Sequence, residues 1–389
     1  MTRSRCAARR ARGGVHLGNI ILVVVWYMAL SCFCIMGLVG CRDTVDTQGW
    51  KVVWRGEGVS SLWDVWFTST NEAWVTGPRV ILHSEDGGAT WQRETRSTAK
   101  LAEAPRHTTW LLQPSDDGTW VAVAGPRAAY WTWHLVRGEL ILDISGVSMQ
   151  EAWAIAFGSP NRLLHTVDGG MSWGDIPPNT IAGLRFDPCG VFFRDGQSGW
   201  ILGSLARASG SSANEVVVCK TTDGGRTFHA VAVPGMRPGG EVPWAIKFVN
   251  TVEGWAATGG PELAHTTDAG ETWEVVRPLA GDPLEERTFL KDLSFALPDA
   301  GRVVGAQVAD GYKSVVLTTR DGGHSWIRED AGIESRDNDW VRRIASGDAG
   351  HVLALAWQGV WPSDMRPIYR RPYDVSLILR RSPPTSSYQ

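Results

Sequence analysis

Thr166-Val167-Asp168-Gly169-Gly170-Met171-Ser172-Trp173 is one copy of a stretch that recurs four more times along the chain. The others are Ser84-Glu85-Asp86-Gly87-Gly88-Ala89-Thr90-Trp91, Thr221-Thr222-Asp223-Gly224-Gly225-Arg226-Thr227-Phe228, Thr266-Thr267-Asp268-Ala269-Gly270-Glu271-Thr272-Trp273 and Thr319-Arg320-Asp321-Gly322-Gly323-His324-Ser325-Trp326. The chemistry is that of a tight hairpin. A hydroxyl and a carboxylate can accept backbone N–H bonds inside the loop, glycine supplies the positive φ, and an aromatic residue anchors the strand that follows. Repetition of one motif along the chain identifies an array of equivalent β-units.

A second repeat counts those units. A short polar or glycine-containing turn followed by an inward residue occurs at Glu72-Ala73-Trp74, Asp117-Gly118-Thr119-Trp120, Glu151-Ala152-Trp153, Ser198-Gly199-Trp200, Glu253-Gly254-Trp255, Ala300-Gly301-Arg302 and Ala349-Gly350-His351. Seven copies, 33 to 55 residues apart, read as the second strands of seven four-stranded blades. The fold expected is all-β, a single seven-bladed propeller over residues 49–382. The second and seventh units lack the Asp turn. The seventh also runs out of chain before a fourth strand, whereas Trp50-Lys51-Val52-Val53-Trp54 precedes the first unit and matches a Trp-led fourth strand. That N-terminal strand is therefore expected to complete the last blade, so that the ring closes without a free sheet edge.

Composition agrees. The 389 residues include 21 Trp, 44 Gly and 20 Pro, with 43% hydrophobic and 20% charged residues. Many short strands joined by turns fit these numbers, and a helical bundle does not. No strand leads into a phosphate-cradling glycine loop, which excludes a Rossmann-type enzyme.

The pattern Ser/Thr-x-Asp-x-Gly-x-x-Trp resembles the Asp-box, or bacterial neuraminidase repeat, of sialidases, sortilin-like receptors and photosystem II assembly and stability factors. In those families the box joins the third and fourth strands of a blade and is a scaffold mark. Asp86, Asp168, Asp223, Asp268 and Asp321 are accordingly assigned structural roles. The stretch Leu62-Trp63-Asp64-Val65-Trp66-Phe67 and its later copies are most similar to the photosystem II assembly factor branch. This resemblance implies a non-catalytic, exported scaffold that docks a protein partner. The alternative is a carbohydrate-binding or sialidase-like glycosidase propeller. Sialidases require an arginine triad, a Tyr nucleophile and an Arg-Ile-Pro signature ahead of the boxes; Tyr369-Arg370-Arg371-Pro372 lies after them and lacks the Ile. Xyloglucan-cleaving relatives use two facing propellers, against one here.

The N-terminus reads as an address. Five arginines in residues 1–12 precede an uncharged apolar stretch, residues 20–40, which ends in Leu38-Val39-Gly40-Cys41. This resembles a lipobox, so residues 1–40 are expected to be a signal peptide, Cys41 the lipidated residue and 41–48 a linker. An uncleaved transmembrane anchor is the alternative. The expected location is the periplasmic side of the inner or outer membrane, with Arg42 favouring the outer one. Cleavage removes five arginines and no acid, so the formal charge falls from −3 to −8. An acidic exported domain excludes a nucleic-acid footprint spread over its surface. Cys189 and Cys219 then remain, a pair that invites a disulfide in an oxidising compartment yet falls on first and third strands.

Three sets of residues are candidates for more than scaffolding. Asp64, Asp143 and Asp292 stand ten residues before Trp74, Trp153 and Arg302, on first strands that line a channel. They could form an acidic ring or hold a cation, or each could bond a neighbouring blade's backbone. Arg342, Arg343, Arg366, Arg370 and Arg371 make the segment from Trp340 onward basic against the acidic remainder, which suits an acidic protein partner or anionic headgroups, or a solvated loop. His83, His165 and His265 share one repeat position and are too dispersed to bind one ion. No metal and no cofactor is expected, residues 383–389 read as a tail, and the propeller is expected to be monomeric.

Overall fold

The computed structural model describes residues 49–57, 62–103, 105, 107–176, 186–205, 215–236, 244–309, 311–331, 333, 339–347, 350–358 and 375–381. Among these residues seven sheets hold 27 strands, six sheets with four strands and one with three. Blade one is β2–β5 (Asp64–Phe67, Ala73–Gly77, Val80–Ser84, Gln92–Glu94) and blade two β6–β8 (Thr109–Ser115, Gly118–Ala124, Thr132–Arg137). Blade three is β9–β12 (Ile141–Gly146, Ala152–Ala156, Arg162–Thr166, Gly174–Ile176) and blade four β13–β16 (Phe186–Phe193, Gly199–Leu205, Glu215–Thr221, His229–Ala232). Blade five is β17–β20 (Ala245–Phe248, Gly254–Ala257, Leu263–Thr266, Glu274–Val276) and blade six β21–β24 (Thr288–Leu297, Ala300–Ala309, Gly311–Thr319, Ile327–Glu329). Blade seven combines β25–β27 (Asp339–Ser346, Val352–Gln358, Val375–Arg381) with β1 (Trp50–Glu57), in the order β1-β27-β26-β25. The expected propeller and its N-terminal fourth strand are both present.

Apolar surface is buried between blades. One cluster joins Trp255, Ala257 and Leu263 of blade five to Leu290, Leu293 and Val303 of blade six. The second-strand tryptophans Trp74, Trp153, Trp200 and Trp255 are at most 1% exposed. Trp153 is sandwiched between His165 of its own blade (4.4 Å) and Phe193 of the next (3.6 Å, planes 2° apart). Trp255 stacks likewise on His265 and Phe295. Each histidine is held by the acid that opens its repeat: Glu72 to His83 at 2.9 Å, Glu151 to His165 at 3.1 Å and Glu253 to His265 at 3.2 Å. The shared repeat position is thereby explained as a ring-stacking device.

Two blades depart from the plan expected of them. In blade seven, Leu353 pairs Ala345 as Trp74 pairs Trp66, so Leu353 is the anchor and His351 takes the place of Glu72. His351 accordingly bonds Arg380, the residue paired with Leu353. Blade two has three strands among the described residues, and its first strand is inverted. Trp110, near the start of β6, donates to the Ser148 carbonyl in the first hairpin of blade three. Gln113, near its end, donates to Gly77 in the second hairpin of blade one, at the opposite end of the ring. An odd strand count requires this: the chain must enter from the Asp-turn end to leave at the other and begin β9. Cys189 and Cys219 sit on β13 and β15 as free thiols, in different apolar layers.

Trp50 is 2% exposed, and its indole N–H donates to the Glu329 carboxylate at 2.7 Å, which also accepts from Arg381 at 3.1 Å. Trp50→Ala should cost about 3–5 kcal/mol, and removal of residues 49–55 should unmask the β27 edge and cause aggregation. Urea unfolding and light scattering check both. A truncated chain that unfolds at the wild-type midpoint would contradict the β1–β27 pairing.

Candidate functional site in the central channel

The first strands supply the site. A cavity of about 480 Å³ is lined by residues from all seven, among them Asp64, Trp66, Asp143, Lys247, Asp292 and Arg343. It reaches toward the Asp-turn end, where Phe67, Phe193, Phe248 and Phe295 line it. The three predicted aspartates do converge here, and they divide into two kinds. Asp143 accepts the Val191 N–H of blade four at 3.0 Å, and Asp292 accepts the Ile344 N–H of blade seven at 2.9 Å. Two residues on, Ser145 accepts from the Phe193 N–H at 2.8 Å and Ser294 from the Ser346 N–H at 3.0 Å. Asp-x-Ser is thus a clamp that ties one first strand to the next.

Asp64 lacks that partner. The neighbouring β6 runs the other way, so the Asp64 carboxylate instead accepts from its own Val65 N–H at 3.0 Å and the Trp66 indole at 2.8 Å. Burial pushes its pKa up to about 6, against the pull of the Arg343 guanidinium and those two donors. Asp292 is also raised by burial, again opposed by Arg343.

Arg343 is the residue that the sequence reading misplaced. It was expected on a docking surface; it faces Asp64, Asp143 and Asp292 and donates to the Leu142 carbonyl of blade three at 3.2 Å. Burial opposes its charge, yet the three carboxylates together hold the guanidinium above its ordinary pKa. An internal cation therefore occupies the acidic ring that a metal was considered for, and no described group of His, Cys, Asp and Glu could hold a metal ion. Counting ten residues back from Leu353, the true anchor, lands on Arg343. The signal was present in the repeat and hidden by the two-residue slip at His351. Lys247, which the sequence reading also passed over, lies 5.8 Å from the Trp66 ring.

Arg342 is 9% exposed, its guanidinium 5.3 Å from the Trp63 ring and 4.6 Å from that of Trp357. Stacked between two indoles, it is a packing residue, not an open docking charge. Arg366, Arg370 and Arg371 lie outside the described residues, as does Cys41.

The five Asp turns spend their acids locally. In each, the Ser or Thr hydroxyl donates to the Asp Oδ1 at 2.7–2.9 Å and accepts the second glycine's N–H at 2.8–3.0 Å. The same Oδ1 accepts the N–H four residues on at 2.8–2.9 Å. Those donors hold Asp168, Asp223 and Asp321 down to about 2; Asp268 reaches about 2 despite burial, and Asp86 is also lowered.

The two kinds of carboxylate titrate in opposite senses. A raised folded pKa means that protonation favours the folded state, so stability should rise as pH falls from 7.5 through about 6. The turn acids have lowered pKa values, and their contribution is lost only as pH falls below about 4 toward 2. Asp64→Asn should therefore lose part of the gain in Tm that the wild type shows between pH 7.5 and pH 5, Asp292 supplying the rest. Calorimetry at both pH values checks it; an identical pH response in the two proteins would exclude Asp64 as the titrating group.

No family model matches the chain. It is 22% identical over 386 residues to the photosystem II assembly lipoprotein Ycf48 of Synechococcus sp. (strain CC9902), covering 88% of this chain and 96% of that protein. The structure of Ycf48 from Cyanidioschyzon merolae aligns with 86% of this chain and 99% of its own, at 16% identity and a TM-score of 0.52. The GH74 xyloglucanase of Xanthomonas campestris aligns with 82% of this chain and 55% of its own, at 13% identity and a TM-score of 0.51. The propeller fold is thus shared with an assembly factor and with part of a glycoside hydrolase, and the similarity in sequence runs along nearly the whole of Ycf48.

Proposed function

We propose that this chain is a lipid-anchored, non-catalytic propeller that docks a membrane or exported protein, in the role that the name of Ycf48 describes. The observation that carries the reading is the extent of the similarity, 88% of this chain against 96% of an assembly lipoprotein. Two features support it. Leu38-Val39-Gly40-Cys41 supplies a lipidation signal of the kind such a protein needs. The buried carboxylates are committed to cross-blade N–H groups or face Arg343, an arrangement suited to holding blades together. Partner contact is assigned to the basic segment carrying Arg366, Arg370 and Arg371, whose positive charges can steer an acidic partner.

Two variants test the reading by membrane fractionation and affinity recovery. Cys41→Ser should release the processed chain from membranes. Replacing Arg366, Arg370 and Arg371 with Ser should leave Tm unchanged and reduce recovery of the wild-type partners, most of all at low salt, where the charges are least screened. Membrane retention of Cys41→Ser through a carbonate wash would overturn the anchor. Full partner recovery with an unchanged salt response would make the arginines solvated surface and move the search to the channel.

A further inference from the structure

Six blades place a fourth strand outside the third; among the described residues blade two stops at β8. The register identifies which β8 groups are left facing outward. The Gly138 N–H donates to the Asp117 carbonyl, and Gly118 pairs Arg137, so the hydrogen-bonded pairs with β7 are Thr119–Val136, Val121–His134 and Val123–Thr132. The alternate residues, Trp133, Leu135 and Arg137, direct N–H and C=O away from β7. At the upper end of the same row, the Ala129 carbonyl accepts the Leu101 N–H at 3.0 Å, and Lys100 bridges Tyr130. This short contact begins a fourth strand and goes no further. Beyond it, no described backbone group bonds the outward row of β8.

The edge differs from the outer edges of the other blades in depth. It is a third strand at a position where the adjoining blades one and three present a fourth, β5 and β12, so it lies about 4.8 Å inside the rim. Trp133 and Leu135 are half-buried along it, and Arg137 is exposed. We propose that this recess is a β-augmentation site, taking an extended segment of a partner polypeptide that pairs with the outward row of β8 and completes the four-stranded blade. Fourth strands elsewhere are three or four residues long outside blade seven, so the added strand is short. Its affinity comes from main-chain bonds, and its selectivity from alternate side chains set against Trp133 and Leu135. The proposal rests on the reading of the chain as a polypeptide-binding propeller and supplies the mode of binding.

Proline separates this mode from any other contact. At Leu135 or Arg137 it removes an outward N–H and leaves the ladder to β7 whole. The probe is a random dodecapeptide library displayed on phage and selected against the full-length protein in detergent. Selected peptides should bind Leu135→Pro at least tenfold more weakly and Leu135→Val with wild-type affinity. Arg137→Pro, at the exposed strand end, repeats the comparison should Leu135→Pro fail to fold. Peptides that bind the proline variants as well as the wild type, or a selection that yields no binder, would overturn the site. The selection uses purified protein, so a failure to recover partners from membranes leaves its outcome separately readable.

Discussion

In four of the five Asp turns the second glycine lies against the inward second-strand residue of the preceding blade, and this contact couples local turn chemistry to the assembly of the ring. A Cβ on Gly270 would stand 2.6 Å from the Trp200 indole nitrogen, and one on Gly88 2.5 Å from Leu353. Gly323 meets the Trp255 ring still more closely. The first position is free of that pressure in blades five and six, where Ala269 stands at a φ of 60° and a Cβ on Gly322 would meet nothing nearer than 3.9 Å, whereas in blade four a Cβ on Gly224 would meet the Gly196 carbonyl oxygen at 2.8 Å. Positive φ is therefore required of both positions, and in blades five and six the absence of a side chain only of the second. Each indole held in this way also stacks on a Phe of the next blade, Trp200 on Phe248 and Trp255 on Phe295, so the turn motif and the core are parts of one joint.

Blade two shows what happens when the joint is altered. It has no Asp turn of its own and offers no second-strand tryptophan to blade three; Trp110 of the inverted β6 packs near Gly170 in its stead. The inversion then propagates inward, because β6 gives Asp64 no N–H across the blade boundary. A strand-count defect at the rim thus accounts for both the odd carboxylate in the channel and the recessed edge at β8.

The architecture was legible because its signals are periodic and local. Hydroxyl, Asp, Gly and aromatic recur at fixed offsets, and each offset corresponds to a bond inside one turn. The closing strand could be read from Trp50 and Trp54 for the same reason. What escaped were consequences of register and direction. Sliding the seventh repeat by two residues, from Leu353 to His351, turned a channel arginine into an apparent surface charge. Arg342 looked like a docking residue because composition records charge and not the indoles of Trp63 and Trp357 around it. The orientation of β6 depends on the number of strands in its blade, a quantity that no short motif contains.

The coupling between turn and ring is tested most directly by comparing Gly322→Ala with Gly323→Ala in blade six, through urea unfolding. Both positions have positive φ, 65° and 84°, so each alanine carries a left-handed backbone penalty of about 1–2 kcal/mol. Around Gly322 a Cβ would meet nothing nearer than 3.9 Å, whereas at Gly323 it would collide with Trp255. Gly323→Ala should be less stable than Gly322→Ala by a further 1–3 kcal/mol, about the usual cost of overpacking, and should alter the near-UV signal of the buried indoles. Equal losses in the two variants would contradict the account, since the turn would then contribute only its backbone conformation and not the joint between blades.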